Sequence, residues 1–342
     1  MGDGRQILIV TEPMDFHADA MILKLREMGH IPLRLHTEDF PIQSTVDLAL
    51  LGADSLAWSG CIHTRKCRID LGSIRSIWWR RPKMYRLPPD LDRQQQEFAR
   101  FEIDHVLHGL WASLDCYWVS SPAAIRQANW KVNQLQRAAA LGFDVPHTLI
   151  TSDPIQARDF YEQCGRRVIY KPLSDPMLAA MVAHAEDSSN IPISRLTYTT
   201  MLNESHLERL ESVRLAPCMF QAYVPKHLEL RVTVIGDEVF AAEIHSQEHE
   251  STSVDWRHYE VEIPYRKADL PAEVAERCLR LVKSYGLNYS AMDLILTPDG
   301  SYVFLENNPN GQFLFIEQKV PELPLLDALA ACLIRGSNSQ RG

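Results

Sequence analysis

The stretch "MDLILTPDGSYVFLENNPNG", residues 292–311, reads as two β-strands joined by a tight turn and followed by a chain reversal. Asp299-Gly300 suits the positive φ angles of hairpin turns, and apolar residues alternate on both sides of it. A register symmetric about this dipeptide places Asp293 directly across from Glu306. Their Cβ atoms would then lie about 5 Å apart on one face of the sheet. The stretch therefore predicts two paired carboxylates.

Two unpaired carboxylates at this separation repel each other by about 3 kcal/mol at an effective dielectric constant of about 20. A raised pKa on one of them would relieve the repulsion, and a bound divalent cation would do so more simply. Asn308 stands two residues beyond Glu306 and could supply a third oxygen, whereas Asn307 should point away. Oxygen ligands without His or Cys favour magnesium, which completes its shell with water and phosphates. The stretch thus predicts a magnesium site that serves a nucleotide.

A second hairpin, with Gly236-Asp237 at its turn, begins with the charged strand "LELRVTV", residues 228–234. The strand period of two separates a polar face (Glu229, Arg231 and Thr233) from an apolar face (Leu230, Val232 and Val234). Such a charged face is more commonly exposed to solvent. With Lys171 in "YKP", at the end of another predicted strand, it could equally line a phosphate pocket. The strand pattern leaves both interpretations open.

The whole chain has the composition of a soluble globular protein with two or three domains: 342 residues, 46% hydrophobic and 23% charged. Its formal net charge of −9 argues against a nucleic-acid partner, which needs a basic face. The N-terminus "MGDGRQILIV" reads as a strand and not as a signal peptide, and we find no apolar segment of membrane-spanning length. We therefore expect a cytoplasmic protein without a membrane partner, with a homodimer as the default assembly.

Seven Cys residues scattered through the chain indicate a reducing compartment and not a disulfide framework. In "CIHTRKC", Cys61, His63 and Cys67 could hold zinc, but a fourth ligand and a paired spacing are missing, which disfavours the site. The basic patch "WWRRPKMYR", residues 78–86, is either a strand end with solvated charges or a site for an acidic ligand or peptide.

The N-terminal part of the chain reads as a parallel-sheet domain. A strand over 6–10, a helix over 15–29 and a strand over 31–35 form a β-α-β opening. Further apolar runs extend this sheet, at 47–51, 54–58 and 74–79. The long helix predicted over 90–114 has five residues on its apolar side: Phe98, Phe101, Val106, Leu110 and Trp111. Farther on, residues 173–203 are weakly patterned, as is typical of a lid or binding loop.

The ordered set of motifs resembles the ATP-grasp ligases. The matching features are Lys131 before a helix, Lys171 in "YKP", the strand "FQAYV", "ELR" at 229–231, "AMDL" around Asp293, and "ENNPNG". Longer motifs resemble one branch of that fold, the ATP-grasp ribosomal peptide maturases, which are the graspetide or microviridin-type synthetases. They are "WWRRP", "NWKVNQLQRAAALGFDVPHTLITSDP" at 129–154, "DWR" at 255–257 and "NPNGQFLFIE". Together these motifs cover most of the chain.

The resemblance implies a fold of α/β and α+β class in which two lobes enclose ATP. An N-terminal pre-ATP-grasp domain would span 1–120, a central lobe 121–215, and a C-terminal lobe with the metal site 216–342. Each functional position then has an implied role. Lys131 and Lys171 would contact the phosphates, and Glu229 would contact the ribose. The adenine would lie against the side chain of Gln221 and the backbone of Ala222, Tyr223 and Val224. Arg231 and Arg257 would steady the transferring phosphate or acyl phosphate, and Mg²⁺ would be held by Asp293, Glu306 and Asn308.

The implied chemistry is phosphorylation of Asp or Glu side chains of a ribosomal precursor peptide, followed by attack of Thr, Ser or Lys to form an ester or amide. The phosphoryl transfer needs positioning and cations more than a protein nucleophile. Two features depart from the wider fold: the segment 173–190 contains no Gly for a phosphate lid, and Gln221 replaces the common acid. A ligase for free amino acids or a protein tail is the alternative enzyme. A nucleotide-binding regulator without turnover is the alternative outside enzymes, and the intact Lys and metal-ligand set argues against it.

Overall fold

The computed structural model describes residues 5–50, 58–174, 177–178, 195–196, 199–258 and 260–336. Two sequence predictions fall largely outside these ranges: the apolar run at 54–58 and the segment 173–203 with its Gly-free part. Among the described residues no helix is both long enough and apolar enough to cross a membrane.

The first part of the chain is built on a parallel sheet. Its elements are β1 (Gln6–Thr11), α1 (Phe16–Glu27), β2 (Leu33–Leu35), β3 (Thr45–Ala49), β4 (Ser59–His63), β5 (Arg68–Asp70), β6 (Ile74–Arg81), α2 (Arg93–Ser113) and β7 (Tyr117–Val119). Strands β2, β1, β6 and β7 pair in that order, all parallel. The predicted β-α-β opening is confirmed. Because both faces of β1 are buried, it reads as an unbroken apolar run.

Strands β3, β4 and β5 form a separate antiparallel sheet, which the sequence did not predict. Ile62 and Ile69 of this sheet pack against Leu110 and Trp111 of α2 in one buried cluster. The apolar side predicted for α2 is therefore only half right. Phe98, Phe101 and Val106 are exposed (65%, 60% and 37%), because the contacts of α2 with the domain core lie nearer its C-terminal end.

The middle of the chain forms a small antiparallel sheet flanked by helices. Its elements are α3 (Pro122–Ala128), α4 (Lys131–Ala140), β8 (Thr148–Thr151), α5 (Pro154–Gln163), β9 (Val168–Lys171), β10 (Met177–Leu178), β11 (Arg195–Leu196), β12 (Thr200–Met201), α6 (Glu204–Leu207) and β13 (Cys218–Ala222). The sheet order is β12, β9, β13, β8, and β10 pairs with β11 alone. This sheet places the end of β9, with Lys171, beside β13.

The last part of the chain is a larger antiparallel sheet with helices packed on both faces. Its elements are β14 (Leu228–Ile235), β15 (Glu238–Ile244), β16 (Tyr265–Lys267), α7 (Ala272–Ser284), β17 (Tyr289–Leu296), β18 (Tyr302–Asn308), α8 (Leu314–Lys319) and α9 (Leu325–Arg335). The order is β16, β15, β14, β17, β18. Leu230, Val232 and Val234 of β14 pack with α7, as predicted for the apolar face of this strand. The opposite face of β14 remains for the charged residues.

The Asp299-Gly300 hairpin has the predicted carboxylate pair but not the predicted register throughout. Near the turn Leu296 pairs with Tyr302, one residue away from a register symmetric about the dipeptide. Leu305 is then left out of the ladder as a β-bulge, and Asp293 pairs with Glu306 as predicted. The other hairpin pairs Ile235 with Glu238 around Gly236-Asp237, as predicted. The domain limits after residues 120 and 215 stay a prediction.

Candidate functional site

A cleft of ≈ 1590 Å³ opens between the small central sheet and the five-stranded sheet, and the end of β6 forms part of its rim. All but one of the site residues predicted from the sequence line it. They are Lys131, Lys171, Ala222, Tyr223, Val224, Glu229, Arg231, Arg257, Asp293, Glu306 and Asn308. Gln221 is not among the lining residues, although its cross-strand partner Ile169 is.

The carboxylates of Asp293 and Glu306 meet on the cleft face of the five-stranded sheet, bridged by Asn308. The Asn308 Nδ2 amide donates to Asp293 Oδ2 (3.3 Å) and to Glu306 Oε1 (3.2 Å). Burial raises the pKa of Asp293 to about 6, and the Glu306 carboxylate adds to the rise against the opposing effect of Arg231. For Glu306, burial is outweighed by Lys131, Lys171 and Arg257, and its pKa is lowered. The two carboxylates are thus held together on the cleft face by one amide and by the cations around them.

Two lysines, one at the start of α4 and one at the end of β9, lie near the carboxylate pair. Lys131, the first residue of α4, donates to the carbonyl of Pro172 at 2.8 Å and lies 3.4 Å from Glu306 Oε2. Burial lowers the pKa of Lys171, and the nearby Lys131 and Lys226 lower it further. Such a cluster of ammonium groups, crowded and partly desolvated, is suited to bind phosphate oxygens.

Arg231 on β14 holds Asp293 in a two-pronged ion pair. Its Nη1 donates to both carboxylate oxygens of Asp293, at 2.8 and 3.0 Å, and its Nη2 donates to the carbonyl of Gln312 at 3.2 Å. Both side chains are largely buried. The charged face predicted for β14 therefore lines the cleft, and the solvent-exposed interpretation is wrong.

Glu229, the predicted ribose contact, is paired with a lysine that the sequence analysis missed. Lys226 Nζ donates to Glu229 Oε1 at 2.9 Å and to the carbonyl of Val254 at 2.9 Å. Ser246 Oγ donates to the same carboxylate oxygen at 2.8 Å. The pair fixes the Glu229 carboxylate at the cleft wall. A lysine three residues before the "ELR" motif was the available signal.

Arg257 is fixed by a neighbour in its own motif. Its Nε and Nη2 donate to the two oxygens of Asp255, at 2.8 and 2.6 Å. Burial raises the pKa of Asp255, but the bond to Arg257 and the Thr199 backbone amide outweigh it and lower the pKa to about 2. The Arg257–Asp255 pair is therefore half-buried and lines the cleft. Between them in the chain, Trp256 stacks on Phe315 with 5.6 Å between the ring centroids.

The strand predicted to contact adenine is β13 with the residues that follow it. Ala222, Tyr223 and Val224 face the cleft. Gln221 is buried and its Nε2 donates to Thr148 Oγ1 at 3.0 Å, while within the described chain its Oε1 has no hydrogen-bond donor. A buried acceptor without a donor fits an exocyclic amino group such as that of adenine.

The loop that follows Asn308 is anchored by side chains from two parts of the molecule. Arg80, buried in the first sheet, donates to the carbonyls of Asn310 and Gly311. Tyr289 donates to the Gly311 carbonyl at 2.7 Å. In the basic patch, therefore, Arg80 is structural, and Arg81 and Lys83 line the cleft rim. No local sequence pattern indicates this role of Arg80, because its partners lie more than 200 residues away.

Asn307 points away from the cleft, as predicted. Its Oδ1 accepts from Ser290 Oγ at 2.6 Å. Gln134 of α4 binds its backbone on both sides, accepting from the Asn307 amide (3.0 Å) and donating to the Asn307 carbonyl (2.8 Å). Since α4 begins at Lys131, this clamp fixes that lysine relative to the strand of Glu306. Gln134 was not predicted, because a helical Gln gives no local signal for such a contact.

The donor set fits magnesium, which the fold family implies together with ATP. Two carboxylates and a side-chain amide are hard oxygen donors, and no Cys or His stands among them. The Asn308 amide nitrogen, and not its oxygen, faces the carboxylates, so that metal binding through Asn308 requires a half-turn of the amide. Its role as a ligand stays a prediction.

Comparison with known proteins places the chain among peptide-modifying ligases. A family model described as the MvdD pre-ATP-grasp domain matches residues 6–126. The solved macrocyclase MdnC of Microcystis aeruginosa MRC, bound with precursor peptide MdnA, is 31% identical, with a TM-score of 0.81 and coverage of 96% of this chain and 99% of that one. No curated protein matches the sequence.

Two further solved structures hold nucleotide and peptide. A RiPP-associated ATP-grasp ligase of Chryseobacterium gregarium, in complex with ADP and a leader and core peptide, is 27% identical, with a TM-score of 0.82 and coverage of 97% of each chain. The ATP-grasp ligase PsnB, complexed with a phosphomimetic variant of a minimal precursor, Mg and ADP, is 25% identical, with a TM-score of 0.74 and coverage of 97% of this chain and 98% of that one. By fold, sequence and cleft, the chain belongs to the ATP-grasp ribosomal peptide maturases, the graspetide or microviridin-type synthetases.

Proposed function

We propose that the protein is an ADP-forming ligase that cross-links a ribosomally made precursor peptide. It would phosphorylate Asp or Glu side chains of the peptide and join them to Thr or Ser hydroxyls as esters, or to Lys amines as amides. The observation that supports this best is the opposition, across one cleft, of the Asp293–Glu306 pair to Lys131, Lys171 and Arg257.

In the first step a substrate carboxylate oxygen attacks the γ-phosphorus of ATP, and ADP leaves. Lys131 and Lys171 would hold the phosphates, and Glu229 and Gln221 the ribose and adenine. Asp293, Glu306 and Asn308 would hold Mg²⁺, which neutralises the charge that develops on the phosphoryl oxygens. Arg231 keeps the Asp293 carboxylate in one orientation through its two hydrogen bonds.

In the second step a hydroxyl or amine of the peptide attacks the carbonyl carbon of the acyl phosphate and gives up one proton. The C–O bond to the phosphate breaks, and inorganic phosphate leaves. Arg257 would stabilise the acyl phosphate and the departing phosphate. Because Asp255 binds two of its nitrogens, the guanidinium enters this step already oriented.

The size and charge of the cleft fit a nucleotide together with an acidic peptide segment. Its volume of ≈ 1590 Å³ exceeds the roughly 300–1,000 Å³ of ordinary small-ligand pockets. Arg81 at the rim adds positive charge where a peptide would enter, whereas Lys83 there is paired with Glu12 at 3.0 Å. These features favour a peptide over a free amino acid as the substrate.

The test is a reaction of the purified chain with ATP, Mg²⁺ and a synthetic precursor containing clustered Thr or Ser and Asp or Glu. We expect one ADP released per water lost from the peptide, measured by coupled assay and mass spectrometry. Treatment of the product with mild alkali then distinguishes the two kinds of cross-link, because esters hydrolyse and amides persist. ADP release without a dehydrated peptide would contradict the proposal. Ligation of free amino acids would support the alternative of a ligase for small substrates. ATP binding without turnover would support the alternative of a nucleotide-binding regulator.

A further inference from the structure

We propose a zinc-binding site on the antiparallel sheet of the N-terminal part, formed by Asp47, Cys61 and His63. The site is remote in sequence from the magnesium ligands and independent of the proposed function. One ligand atom from each of these residues lies within 4.8 Å of the other two. Across the described ranges, no other group of three His, Cys, Asp or Glu residues converges in this way.

The three side chains converge because of the strand pairing. Asp47 on β3 is the direct cross-strand partner of Cys61 on β4, and His63 follows two residues later on the same face. His63 Nε2 lies 3.1 Å from Cys61 Sγ and 3.1 Å from Asp47 Oδ2. The thiol is buried, whereas Asp47 and His63 are exposed and open to a metal ion from solvent.

The two contacts compete for a single ring nitrogen. In a neutral imidazole, Nε2 either donates one hydrogen or accepts one, so it cannot form a full hydrogen bond to both the thiol and the carboxylate. A cation bound by all three atoms removes this conflict. In a tetrahedral zinc site the ligand atoms are about 3.4–3.6 Å apart, so the observed separations need to open by only about 0.3–0.5 Å.

The register that brings Asp47 and Cys61 together is fixed by the backbone. Gly60 has φ of +158°, and a Cβ there would lie 1.9 Å from the carbonyl oxygen of Asp47. Only glycine therefore permits the close approach of β3 and β4 at this point. The sheet holds the ligand positions before any metal binds.

Cys67, which lies close to Cys61 and His63 in the sequence, is not part of this cluster but of the turn that follows β4. The Thr64 hydroxyl accepts from the Lys66 and Cys67 amides at 3.2 and 3.0 Å, and the Cys67 thiol lies 3.6 Å from that hydroxyl. Cys67 is thus held by the turn, and Asp47 takes its place as the third ligand. Sequence spacing could not reveal this, because Asp47 lies on another strand.

The ligand set identifies the metal class. A thiolate, an imidazole and one carboxylate suit zinc and exclude magnesium, which binds hard oxygen donors. Water would complete the tetrahedron, since the site has an exposed side. Binding would tie β3 to β4, a contact that otherwise depends on a short two-strand ladder.

The experiment uses the full-length protein and Co²⁺ as a spectroscopic substitute for Zn²⁺. We expect one equivalent of Co²⁺ to give a thiolate-to-cobalt charge-transfer band, which Zn²⁺ displaces. Cys61→Ser should remove the band. Asp47→Asn and His63→Gln should each weaken metal binding by about 100-fold or more, which is a larger effect than the loss of a residue that only hydrogen-bonds to a ligand. Cys67→Ser is the matched control and should leave the band unchanged.

Circular dichroism of each metal-free variant checks folding, and Zn²⁺ should raise the thermal midpoint of the wild type but not that of Cys61→Ser. The proposal is overturned by the absence of a band in the wild type, by a band that persists in Cys61→Ser, or by equal loss in Cys67→Ser. Because none of these readouts uses ATP or peptide, they do not depend on the proposed enzyme activity.

Discussion

At the residue scale, the cations of the cleft are held by acidic partners rather than left mobile. Lys226 is bound to Glu229, and two arginines form two-pronged pairs with Asp293 and Asp255. A pre-oriented guanidinium costs little reorganisation when a phosphate arrives. The structure thus favours catalysis by positioned charge.

Arg257→Lys tests this interpretation. A lysine keeps the charge but cannot bond both oxygens of Asp255, so we expect kcat to fall by about 100-fold with the KM for ATP changed much less. Steady-state ADP release measures both constants. The matched control is Arg214→Lys, the same replacement at an exposed pair with Glu211. Unchanged kcat in Arg257→Lys would show that its oriented guanidinium has no part in turnover.

Residues of the site differ in how far the sequence could predict them. Asp293, Glu306, Glu229 and Arg231 follow from strand periodicity within single hairpins. Lys171 was already a candidate from the strand pattern, but Lys131 followed only from resemblance to a family, since its contact with Glu306 joins separate elements.

The ion-pairing roles of Asp255 and Lys226 were not predicted. The sequence around a charged motif does not show whether a neighbouring carboxylate or ammonium group points into the cleft or into solvent. Arg80 was missed for a similar reason, because burial of an arginine in a sheet depends on the distant carbonyls that accept from it.

At the element scale, the β17–β18 hairpin shows why a turn dipeptide does not determine register. The loop is one residue longer than a two-residue turn, with Thr297 and Ser301 hydrogen-bonded across it and Gly300 at φ +89°. That shift alone would have paired Asp293 with Leu305. The bulge at Leu305 restores the pairing with Glu306. The sequence prediction was right at the carboxylates because the two one-residue shifts cancel.

Gly311→Ala tests the packing of the loop after Asn308. A Cβ at this position would lie 2.6 Å from Ala291 Cβ and 2.8 Å from Arg231 Nη2, so the loop must move. We expect a loss of about 1–3 kcal/mol in the free energy of unfolding, together with weaker Mg²⁺-dependent ADP formation.

Urea unfolding and ADP release measure the two effects of Gly311→Ala. Gly109→Ala in α2 is the control, because a Cβ there meets nothing within 4 Å. Wild-type stability and turnover in Gly311→Ala would mean that the loop is not packed as described.

At the scale of the whole molecule, the N-terminal sheet and the C-terminal lobe share one core. Leu325 and Leu329 of α9 are buried in one cluster with Ile7 and Ile9 of β1. His17 joins the same two parts, since its Nε2 accepts from the backbone amide of Phe313 at 3.3 Å. The chain that follows Asn308 is therefore supported from the N-terminal sheet, an arrangement that no local sequence pattern could predict.

His17 should make stability depend on pH. Burial, with the charge of Arg80, lowers the pKa of His17 from 6.5 to about 3, against the opposing effect of Asp15. Arg81 lowers it further, and at the start of α8 the ring meets the backbone amides of Phe313 and Leu314 and the edge-packed Phe313 ring. Because the folded-state pKa is depressed, the stabilisation is complete above pH 6.5 and is lost as the pH falls towards 3.

His17→Gln removes this titration while keeping an acceptor. Between neutral pH and about two units lower, the wild type should lose up to about 1.4 kcal/mol per pH unit relative to the variant. Urea midpoints at several pH values measure the difference. His108→Gln, at an exposed site, should show no such divergence. Parallel pH profiles for wild type and His17→Gln would exclude a buried neutral imidazole at this contact.

The most direct test of the account is Mg²⁺-dependent ADP formation by Glu306→Gln. Glutamine keeps the shape of the side chain but removes the charge that the site needs for Mg²⁺, so we predict an intact fold by circular dichroism and a loss of turnover of about 1,000-fold or more. Glu322→Gln, at an exposed position, is the matched control and should retain full activity. Near-normal turnover in Glu306→Gln would contradict the assignment of the Asp293–Glu306 pair as the metal site.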